Sequence, residues 1–365
     1  MILVVSHYTR NKGVTDFFLD HLESIGLPYM YLKHPLYFEN IKFSELIYFD
    51  GFKCSVLLKI RKVNNLILSL IEDFVISIFI SIKLGKRIDK VISFGGFNFF
   101  PFIFFDLFLK RKLYFWGVDY STKRFDNKIL NKLYFYFETI SCKFSTLVIQ
   151  TNIRQQTARI NRHGLDINKS LILPNGVNFV SSDRNILINE IALIYIGSIT
   201  KQHGIIDFVK FFYGNKKINY KLYIFGGGEC ENELKAIINS NPFFNTIMYF
   251  GEKNQYEINE FIKNCGYRLF GVAPYSEKYN DHVYFGDSIK VKEYLSHNIP
   301  FITSRVTYLA PDIEQFGFVY DNFEELNIFF GEPIGEFRFD EKHKNTILKR
   351  YLWCNILSKL NQYLN

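Results

Sequence analysis

Residues 284–303 combine side chains that could together bind a phosphorylated ligand: Ser288, Lys290 and Glu293. The pattern predicts a helix with Ser288 at its tip and with Lys290 and Glu293 on one face, because they are three positions apart. The amino end of a helix is partially positive, so Lys290 and Lys292 are unfavourable there unless an anion binds. A phosphate with an attached ribose fits: Ser288 and Lys290 would bind phosphate oxygens, and Glu293 would accept hydrogen bonds from the ribose. The alternative is an ordinary solvent-exposed Lys–Glu pair.

The first half of the chain places further candidates after predicted strands. His7 follows the first strand, Gly13 lies in the loop before the next helix, and Gly95 and Gly96 follow a later strand. Asp119 follows the strand after that. Open parallel sheets bind ligands at the carboxyl ends of their strands, so these residues predict a binding crevice. Asp119 is a candidate general base, or else a helix cap or a loop hydrogen bond. For His7 the alternative is a structural histidine.

Glycine-containing loops also follow strands in the second half. The loop from Gly197 to Gly204 carries Ser198, Lys201 and His203. The glycine run at 226–228 lacks the full G-x-G-x-x-G spacing, so it predicts a tight turn and not a dinucleotide site.

Strands and helices alternate along both halves, which is typical of α/β folds with parallel, doubly wound sheets. Apolar periodicity fades across Ser181–Asn185, so the predicted domains are residues 1–180 and 181–344. A helix over 345–365 is expected to pack back on the first domain. A long helix is also predicted over Leu57–Leu84.

The basic charge is concentrated in the first predicted domain. Residues 1–180 hold 24 Lys+Arg and 14 Asp+Glu, a net charge of +10, whereas the remainder carries −2 and the whole chain +8. This asymmetry indicates an anionic partner, either a phospholipid surface or a lipid-linked pyrophosphate. Nucleic acid is not expected, because the basic residues are dispersed and no recognised binding motif occurs.

The amino-terminal apolar run has no basic leader, so it predicts a first strand and not a signal peptide, and we expect a cytoplasmic protein. Two other apolar stretches, Leu66–Ile82 and Phe97–Leu109, are too charged or too short to span a bilayer. Their basic flanks would suit peripheral attachment to the inner face of an anionic membrane. The alternative is that both are helices packed on a sheet. The flanking basic residues are Lys83, Lys86, Arg87, Lys90, Lys110, Arg111 and Lys112.

Five segments, in this order, resemble the GT-B glycosyltransferases, and most closely the family-four-type bacterial sugar transferases that build O-antigens, capsules and exopolysaccharides. The segments are Pro174-Asn-Gly-Val-Asn178, Tyr195-Ile-Gly-Ser198, Phe225-Gly-Gly-Gly-Glu229, Ala273-Pro-Tyr275 and Asp287-Ser-x-Lys-x-x-Glu-Tyr-Leu295. The resemblance implies two Rossmann-like domains that face a cleft.

The resemblance also implies a donor, a UDP- or GDP-linked sugar, bound by the second domain. Its diphosphate would lie at Ser288, Ile289 and Lys290 and its ribose at Glu293. Its base would lie near Phe250 to Lys253, which include Gly251 and Glu252. The acceptor, a polyprenyl-linked sugar or an oligosaccharide, would bind the first domain. The remaining residues expected on the donor side are Gly197, Ser198, Lys201, His203, Pro274 and Tyr275.

The chain departs from the family pattern at three positions. Ser198 and His203 replace the usual Arg and Lys, so the phosphate contact must shift to Lys201, His203 or Lys290. Phe285 replaces a glutamate that retaining members use, which leaves room for an inverting enzyme with Asp119 as base. No Asp-x-Asp occurs, so neither a metal nor another cofactor is expected.

Two other functions remain open. A nucleotide-sugar 2-epimerase shares the fold and would act without an acceptor, but it leaves the basic first half unexplained. A catalytically silent glycosyltransferase-like subunit would explain the missing Arg, Lys and Glu.

Overall fold

A computed structural model describes residues 1–8, 13–35, 42–178, 186–188, 190–215, 220–240, 246–276, 278, 281–331 and 340–364. The chain forms two compact units. Unit 1 comprises Met1–Pro174 and Ile356–Asn365, and unit 2 comprises Asn175–Asn355. The boundary predicted between residues 180 and 181 lies outside the described residues, and the two units divide slightly earlier in the chain.

Unit 1 is an α/β layer structure around one sheet. Its strands are Ile2–Tyr8 (β1), Tyr29–Pro35 (β2), Phe43–Phe49 (β3), Cys54–Arg61 (β4), Lys90–Phe94 (β5), Lys112–Gly117 (β6), Leu147–Gln150 (β7) and Ser170–Ile172 (β8). Its first five helices are Val14–Ser24 (α1), Leu66–Leu84 (α2), Gly96–Leu109 (α3), Lys128–Phe144 (α4) and Ile153–His163 (α5).

The sheet of unit 1 has the order β4-β3-β2-β1-β5-β6-β7-β8. Pairing is parallel from β2 to β8, whereas β3 and β4 are antiparallel additions at one edge. The strand order reverses between β1 and β5, which is where open sheets of this kind bind ligands. The central strands β1, β5 and β6 are buried on both faces, as expected for apolar strands covered by helices.

The helix predicted over Leu57–Leu84 is wrong in its first part. Residues through Arg61 pair with β3, and α2 begins only after Asn65. The Asn65 side chain accepts hydrogen bonds from the amides of Ile67 and Leu68, so it caps the helix.

Unit 2 has a second sheet of six parallel strands, in the order β11-β10-β9-β12-β13-β14. The strands are Ile191–Ile196 (β9), Lys221–Phe225 (β10), Ile247–Tyr249 (β11), Arg268–Ala273 (β12), Phe301–Ser304 (β13) and Gly317–Tyr320 (β14). The helices are Ile205–Gly214 (α6), Glu231–Asn239 (α7), Gln255–Asn264 (α8), His282–Phe285 (α9), Ile289–Ser296 (α10), Pro311–Glu314 (α11), Phe323–Gly331 (α12) and Glu341–Leu348 (α13). An apolar core covers each face of this sheet.

The helix predicted over 345–365 is instead broken into α13 and two short helices, Trp353–Ser358 (α14) and Asn361–Leu364 (α15). Leu352 is extended and forms a parallel bridge with Val177, which interrupts the helix. Residues 345–355 belong to unit 2, and only the segment from Ile356 belongs to unit 1. Among the described helices, none has both the length and the hydropathy to cross a membrane.

Candidate functional site

The segment that follows α9 forms the helix and strand predicted for it. Ser288 caps α10, because its Oγ accepts a hydrogen bond from the amide of Val291 at 3.5 Å. The helix stops at Asn298, which adopts a left-handed conformation (φ 56°), and β13 follows. The hydroxyl of Tyr275, after β12, lies 3.0 Å from Ser288 Oγ. The amino end of α10 therefore meets the carboxyl end of β12.

Tyr294 fixes α10 on the sheet. Its hydroxyl donates to the carbonyl of Val272 at 3.0 Å and accepts from the amide of Ile196 at 3.1 Å. Its ring packs on Gly271, where a Cβ atom would overlap the aromatic carbons. These contacts place α10 over β9 and β12, between which the strand order of unit 2 reverses.

Lys290 and Glu293 do not form the solvent-exposed pair that was the alternative prediction. Within the described ranges, neither side chain makes a hydrogen bond or a salt bridge. The Lys290 ammonium lies 5.0 Å from the centroid of the Tyr275 ring. Burial raises the pKa of Glu293, and the charge of Lys290 opposes that rise. A half-buried cation and a half-buried carboxyl group are thus left available on one face of α10.

The prediction that Lys292 is unfavourable unless an anion binds is wrong. Its side chain is buried, and its ammonium donates to both carboxylate oxygens of Asp287, at 2.8 and 2.7 Å. The charge of Lys292 is therefore balanced by a neighbouring carboxylate, and Lys292 needs no external anion. Sequence reasoning missed this pair because it treated both lysines as surface residues.

The loop after β9 lies beside Lys290. Gly197 has a φ of 151°, and a Cβ atom there would overlap Cε of Lys290. His203 donates its Nδ1 proton to the carbonyl of Ser198 at 3.0 Å, so Nε2 of the neutral ring is an acceptor. Burial, assisted by the charge of Lys290, lowers the pKa of His203 to about 3. Of the residues considered for the phosphate contact, Lys201 is exposed and His203 is uncharged at neutral pH.

The remaining donor-side candidates lie on the same sheet edge. The amide of Gly197 donates to the carbonyl of Phe225, and that of Gly226 to the carbonyl of Gly251. Pro274 packs so closely on Gly204 that a Cβ atom at 204 would overlap its carbonyl oxygen. Tight backbone packing explains Gly204, Gly226 and Gly228, in agreement with the tight turn predicted at 226–228. Gly251, by contrast, has a φ of 72° and nothing within 4 Å of its Cβ position. Ser198, Glu252 and Ile289 have exposed side chains along this edge.

In unit 1, His7 lies at the point where the strand order reverses. Its Nε2 is 3.3 Å from Asp73 Oδ2, and its Nδ1 is 3.1 Å from Asn98 Nδ2. Because an amide nitrogen only donates, Nδ1 is the acceptor and Nε2 carries the proton. Both ring nitrogens are therefore engaged, which is the arrangement of a structural histidine.

Asp73 is the centre of a buried cluster that sequence reasoning missed. Its carboxylate accepts from Lys62 Nζ at 2.8 and 2.7 Å, and His34 Nδ1 lies 2.9 Å from it. Burial would raise the pKa of Asp73, but hydrogen bonds from His34 and His7 hold it well below its usual range. The available signal was an acidic residue inside an apolar helix, since a buried carboxylate requires partners.

Asp119 has a half-exposed side chain 3.9 Å from Arg124. Its backbone carbonyl accepts a hydrogen bond from Arg159 at 3.1 Å, which holds the loop. Gly95 and Gly96 begin α3, and Gly13 precedes α1. The close approach of α4 explains Gly96, because a Cβ atom there would lie 3.1 Å from the backbone of Phe137.

Each unit thus collects its own candidates at the carboxyl edge of its own sheet. Unit 2 brings Gly197, His203, Tyr275, Ser288 and Lys290 together. Unit 1 brings His7 next to Asn98 and Asp73, whereas Asp119 has an exposed carboxylate that lies 3.9 Å from Arg124. Among the described residues, no group of three or more His, Cys, Asp or Glu side chains is arranged to hold a metal ion.

No protein-family model and no curated protein sequence matches the chain. Solved structures, by contrast, match the chain. A sucrose-phosphate synthase from Thermosynechococcus elongatus has a TM-score of 0.71 at 11% identity, with 99% of this chain and 98% of that chain covered. The lipopolysaccharide outer core galactosyltransferase WaaB has a TM-score of 0.67 at 11% identity, covering 99% and 98%. HepE from Anabaena in complex with UDP-glucose has a TM-score of 0.66 at 10% identity, covering 100% and 99%.

These similarities extend over nearly the full length of both partners, so they define the fold of the chain. It is the GT-B fold, as the sequence predicted. At identities near 10%, the similarity defines the fold alone.

Proposed function

We propose that the protein is a glycosyltransferase that moves a sugar from a nucleoside diphosphate sugar to a lipid-linked or saccharide acceptor in bacterial surface polysaccharide synthesis. One observation carries the proposal: Lys290 and Glu293 are half-buried and unpaired within the described residues, beside the cap residue Ser288. They lie where the strand order of unit 2 reverses, in a fold shared with WaaB and HepE.

The donor diphosphate would bind at the amino end of α10. The backbone amides of the first turn, the Ser288 hydroxyl and the Lys290 ammonium are its donors, and the helix dipole favours its charge. Glu293, one turn further along, would accept hydrogen bonds from the ribose. A UDP-linked donor is preferred over a GDP-linked one, because the HepE structures contain UDP and UDP-glucose.

Transfer would proceed without a metal ion. As the glycosidic bond to the diphosphate breaks, negative charge grows on the leaving oxygen, and Lys290 with the α10 amides would stabilise it. The neutral state of His203 leaves Lys290 as the main cation for this role. The absence of an Asp-x-Asp motif supports the same mechanism.

Asp119 would act as the base that removes the proton from the acceptor hydroxyl, with inversion at the anomeric carbon. Its carboxylate is half-exposed and lies 3.9 Å from Arg124, so an acceptor hydroxyl can reach it. His7 is the less suitable base, because both of its ring nitrogens are engaged.

The donor site is tested by calorimetric titration of UDP and GDP into wild type, Lys290→Ala and Glu293→Ala. A charge-assisted hydrogen bond contributes about 1.5–3 kcal/mol, so Lys290→Ala should weaken binding about ten- to a hundredfold. Lys210→Ala is the matched control, because Lys210 is an exposed lysine of unit 2 that pairs with Glu233 at 2.9 Å. Unchanged affinity in both site variants would refute the donor assignment.

Activity is tested with a panel of nucleotide sugars and a membrane extract as the acceptor source. The proposal expects transfer, or slow hydrolysis of one donor, and a product whose NMR spectrum gives the anomeric configuration. Epimerisation of the donor sugar at C2 without any acceptor would instead indicate the 2-epimerase. Nucleotide binding with neither reaction would indicate a catalytically silent subunit.

The acceptor side is proposed to face an anionic membrane surface. The neighbouring helices α2, α3 and α4 expose an unusual number of apolar side chains, which we call the α2–α4 face. Exposed lysines and Arg87 flank it, so apolar insertion and attraction to anionic headgroups would act together. The face consists of Ile67, Leu68, Ile71, Val75, Phe79, Ile82, Phe104, Phe108, Ile129 and Leu133.

Two of the basic residues expected to flank this surface are not available to it. Arg111 is buried and donates to Asp106 at 2.7 Å and to Ser81 at 2.7 Å. Lys90 is buried and donates to the carbonyl of Leu364. Lys83, Lys86 and Arg87 remain exposed.

Vesicle flotation tests the membrane proposal. Wild type should float with vesicles that contain phosphatidylglycerol and less with pure phosphatidylcholine, whereas Ile71→Ser with Val75→Ser should stay in solution. Leu187→Ser is the control, because Leu187 is an aliphatic residue of unit 2 that is even more exposed, at 85% against 54% for Ile71 and 56% for Val75. If the control variant loses flotation as strongly as the double variant, the α2–α4 face is not the binding surface.

A further inference from the structure

A buried ion pair lies directly before α10. The side chains of Asp287 and Lys292 are 2% and 1% exposed, and the ammonium contacts both carboxylate oxygens. Lys292 also donates to the carbonyl of Asn175 at 2.8 Å. The two charges are therefore matched with each other inside unit 2.

Asn175 completes the arrangement. Its amide donates to Asp287 Oδ2 at 2.7 Å, and its side-chain nitrogen donates to the carbonyl of Asp287 at 3.2 Å. The backbone of Asp287 is held on its other side by a bridge to Tyr308. Asp287 is thus held by contacts of its side chain and of its backbone, and it precedes Ser288, the cap of α10.

The sign of these charges matters for any anion at this helix end. An unbalanced Asp287 carboxylate beside Ser288 would repel a diphosphate and offset the helix dipole. Paired with Lys292, it contributes no net charge, and the potential is set by Lys290 and the first-turn amides.

We propose that Lys292 acts on the donor site through Asp287: it neutralises this carboxylate, so that the amino end of α10 accepts the donor diphosphate. Lys292 itself does not touch the ligand. The inference rests on the proposed function, because the ligand is the diphosphate of that donor.

The test compares UDP affinity, measured by calorimetry, in four proteins: wild type, Lys292→Met, Asp287→Asn and the double variant. Lys292→Met leaves an unbalanced carboxylate, so UDP affinity should fall about three- to tenfold, as expected for one unit charge in a partly solvated site. Asp287→Asn removes the repulsive charge, so affinity should be equal to or higher than that of wild type. The double variant carries no net charge and should bind nearly as wild type does.

If the pair had only a structural role, both single variants would bind UDP more weakly, and both would also contain less folded protein. That result, or equal affinity in all four proteins, would overturn the inference. If Lys292→Met does not fold, Asp287→Asn and the double variant still decide, because a fall in UDP affinity in Asp287→Asn contradicts the charge argument. Asp106→Asn is the control, since it breaks a similarly buried pair in unit 1 and should leave UDP affinity unchanged.

The outcomes separate the two proposals. If wild type binds UDP but Lys292→Met does not weaken binding, or Asp287→Asn does weaken it, only the role of Lys292 is refuted. A wild-type protein that binds neither UDP nor GDP refutes the donor site and this inference together.

Discussion

Position 197 has room for a hydrogen atom only, because the Lys290 side chain passes over it and the backbone there is left-handed. Gly197→Ala should therefore displace the Lys290 ammonium and weaken UDP binding about tenfold or more, with an added loss of stability of about 1–3 kcal/mol from backbone strain. Titration calorimetry and denaturant unfolding measure the two effects. In the control Gly214→Ala, the new Cβ meets nothing within 4 Å, so UDP affinity should not change.

The second prediction at a single side chain concerns His163 in unit 1. Its ring nitrogens lie 3.0 Å from the Tyr120 hydroxyl and 2.8 Å from Thr139 Oγ1. Burial, with the charges of Arg159 and Arg162, lowers its pKa from 6.5 to about 4. The unfolded chain therefore binds more protons below pH 6.5, and the stability contributed by neutral His163 is lost as the pH falls toward 4.

At pH 5 this loss amounts to about 2 kcal/mol relative to pH 7.5. Urea unfolding of wild type and His163→Gln at both pH values measures it. The free energy of unfolding should fall less with pH in the variant, whatever its absolute stability, because the other histidines contribute equally to both proteins. Parallel pH dependence in the two proteins would contradict the prediction.

Sequence reasoning could place Ser288, Lys290 and Glu293 together on one helix because their relation is local. Spacing along one helix defines which side chains share a face, so the candidate group followed directly from the pattern. It could not assign Lys292, whose partners include Asn175, 117 positions away in the chain. The cluster around Asp73 was missed for the same reason, since Lys62, His34 and His7 come from different elements.

Among the elements, the helix and strand at 284–303 and the alternation in unit 2 were predictable, because periodicity, caps and glycines agree there. Two elements were predicted wrongly where long-range pairing decides. Residues 57–61 are apolar enough for a helix, but their pairing with β3 makes them a strand. The bridge between Leu352 and Val177 breaks the helix predicted over 345–365.

The end of α3 provides a prediction about an element. Lys110 caps this helix in the left-handed conformation with a φ of 52°, which is unfavourable for a residue with a Cβ atom. Lys110→Gly should therefore raise the free energy of unfolding by about 1 kcal/mol. Lys110→Ala removes the same charge but keeps the Cβ atom, so it should not stabilise. Equal stabilisation by both variants would show that the charge, and not the backbone, is responsible.

For the chain as a whole, the sequence indicated two α/β domains but not how the chain divides between them. Length, alternation and the loss of periodicity at 181–185 give the number of domains. The chain passes between the units a second time when it returns to unit 1 near Ile356, within α14. This second division was not predictable from the sequence. No change in composition marks that point, since buried apolar residues lie on both sides of it, Tyr351 and Trp353 before and Ile356 and Leu357 after.

Because the chain returns to unit 1 at Ile356, we predict that its last residues stabilise unit 1. Leu360 is 1% exposed and belongs to unit 1, whereas Ile347 is 4% exposed and belongs to unit 2. Truncating a buried Leu or Ile to Ala costs about 2–5 kcal/mol through lost burial and the cavity left behind. Leu360→Ala should therefore destabilise unit 1 first, although it lies after all of unit 2 in sequence.

Hydrogen exchange with mass spectrometry in mild denaturant can separate the two units by their peptides. Leu360→Ala should speed exchange in β6, whose residue Tyr114 donates to the carbonyl of Tyr363 at 2.9 Å. Ile347→Ala is the matched control and should speed exchange in β9 and β12 instead. If Leu360→Ala loosened β9 and β12 as much as β6, the last residues would contribute to the core of unit 2, against the division of the chain at Ile356.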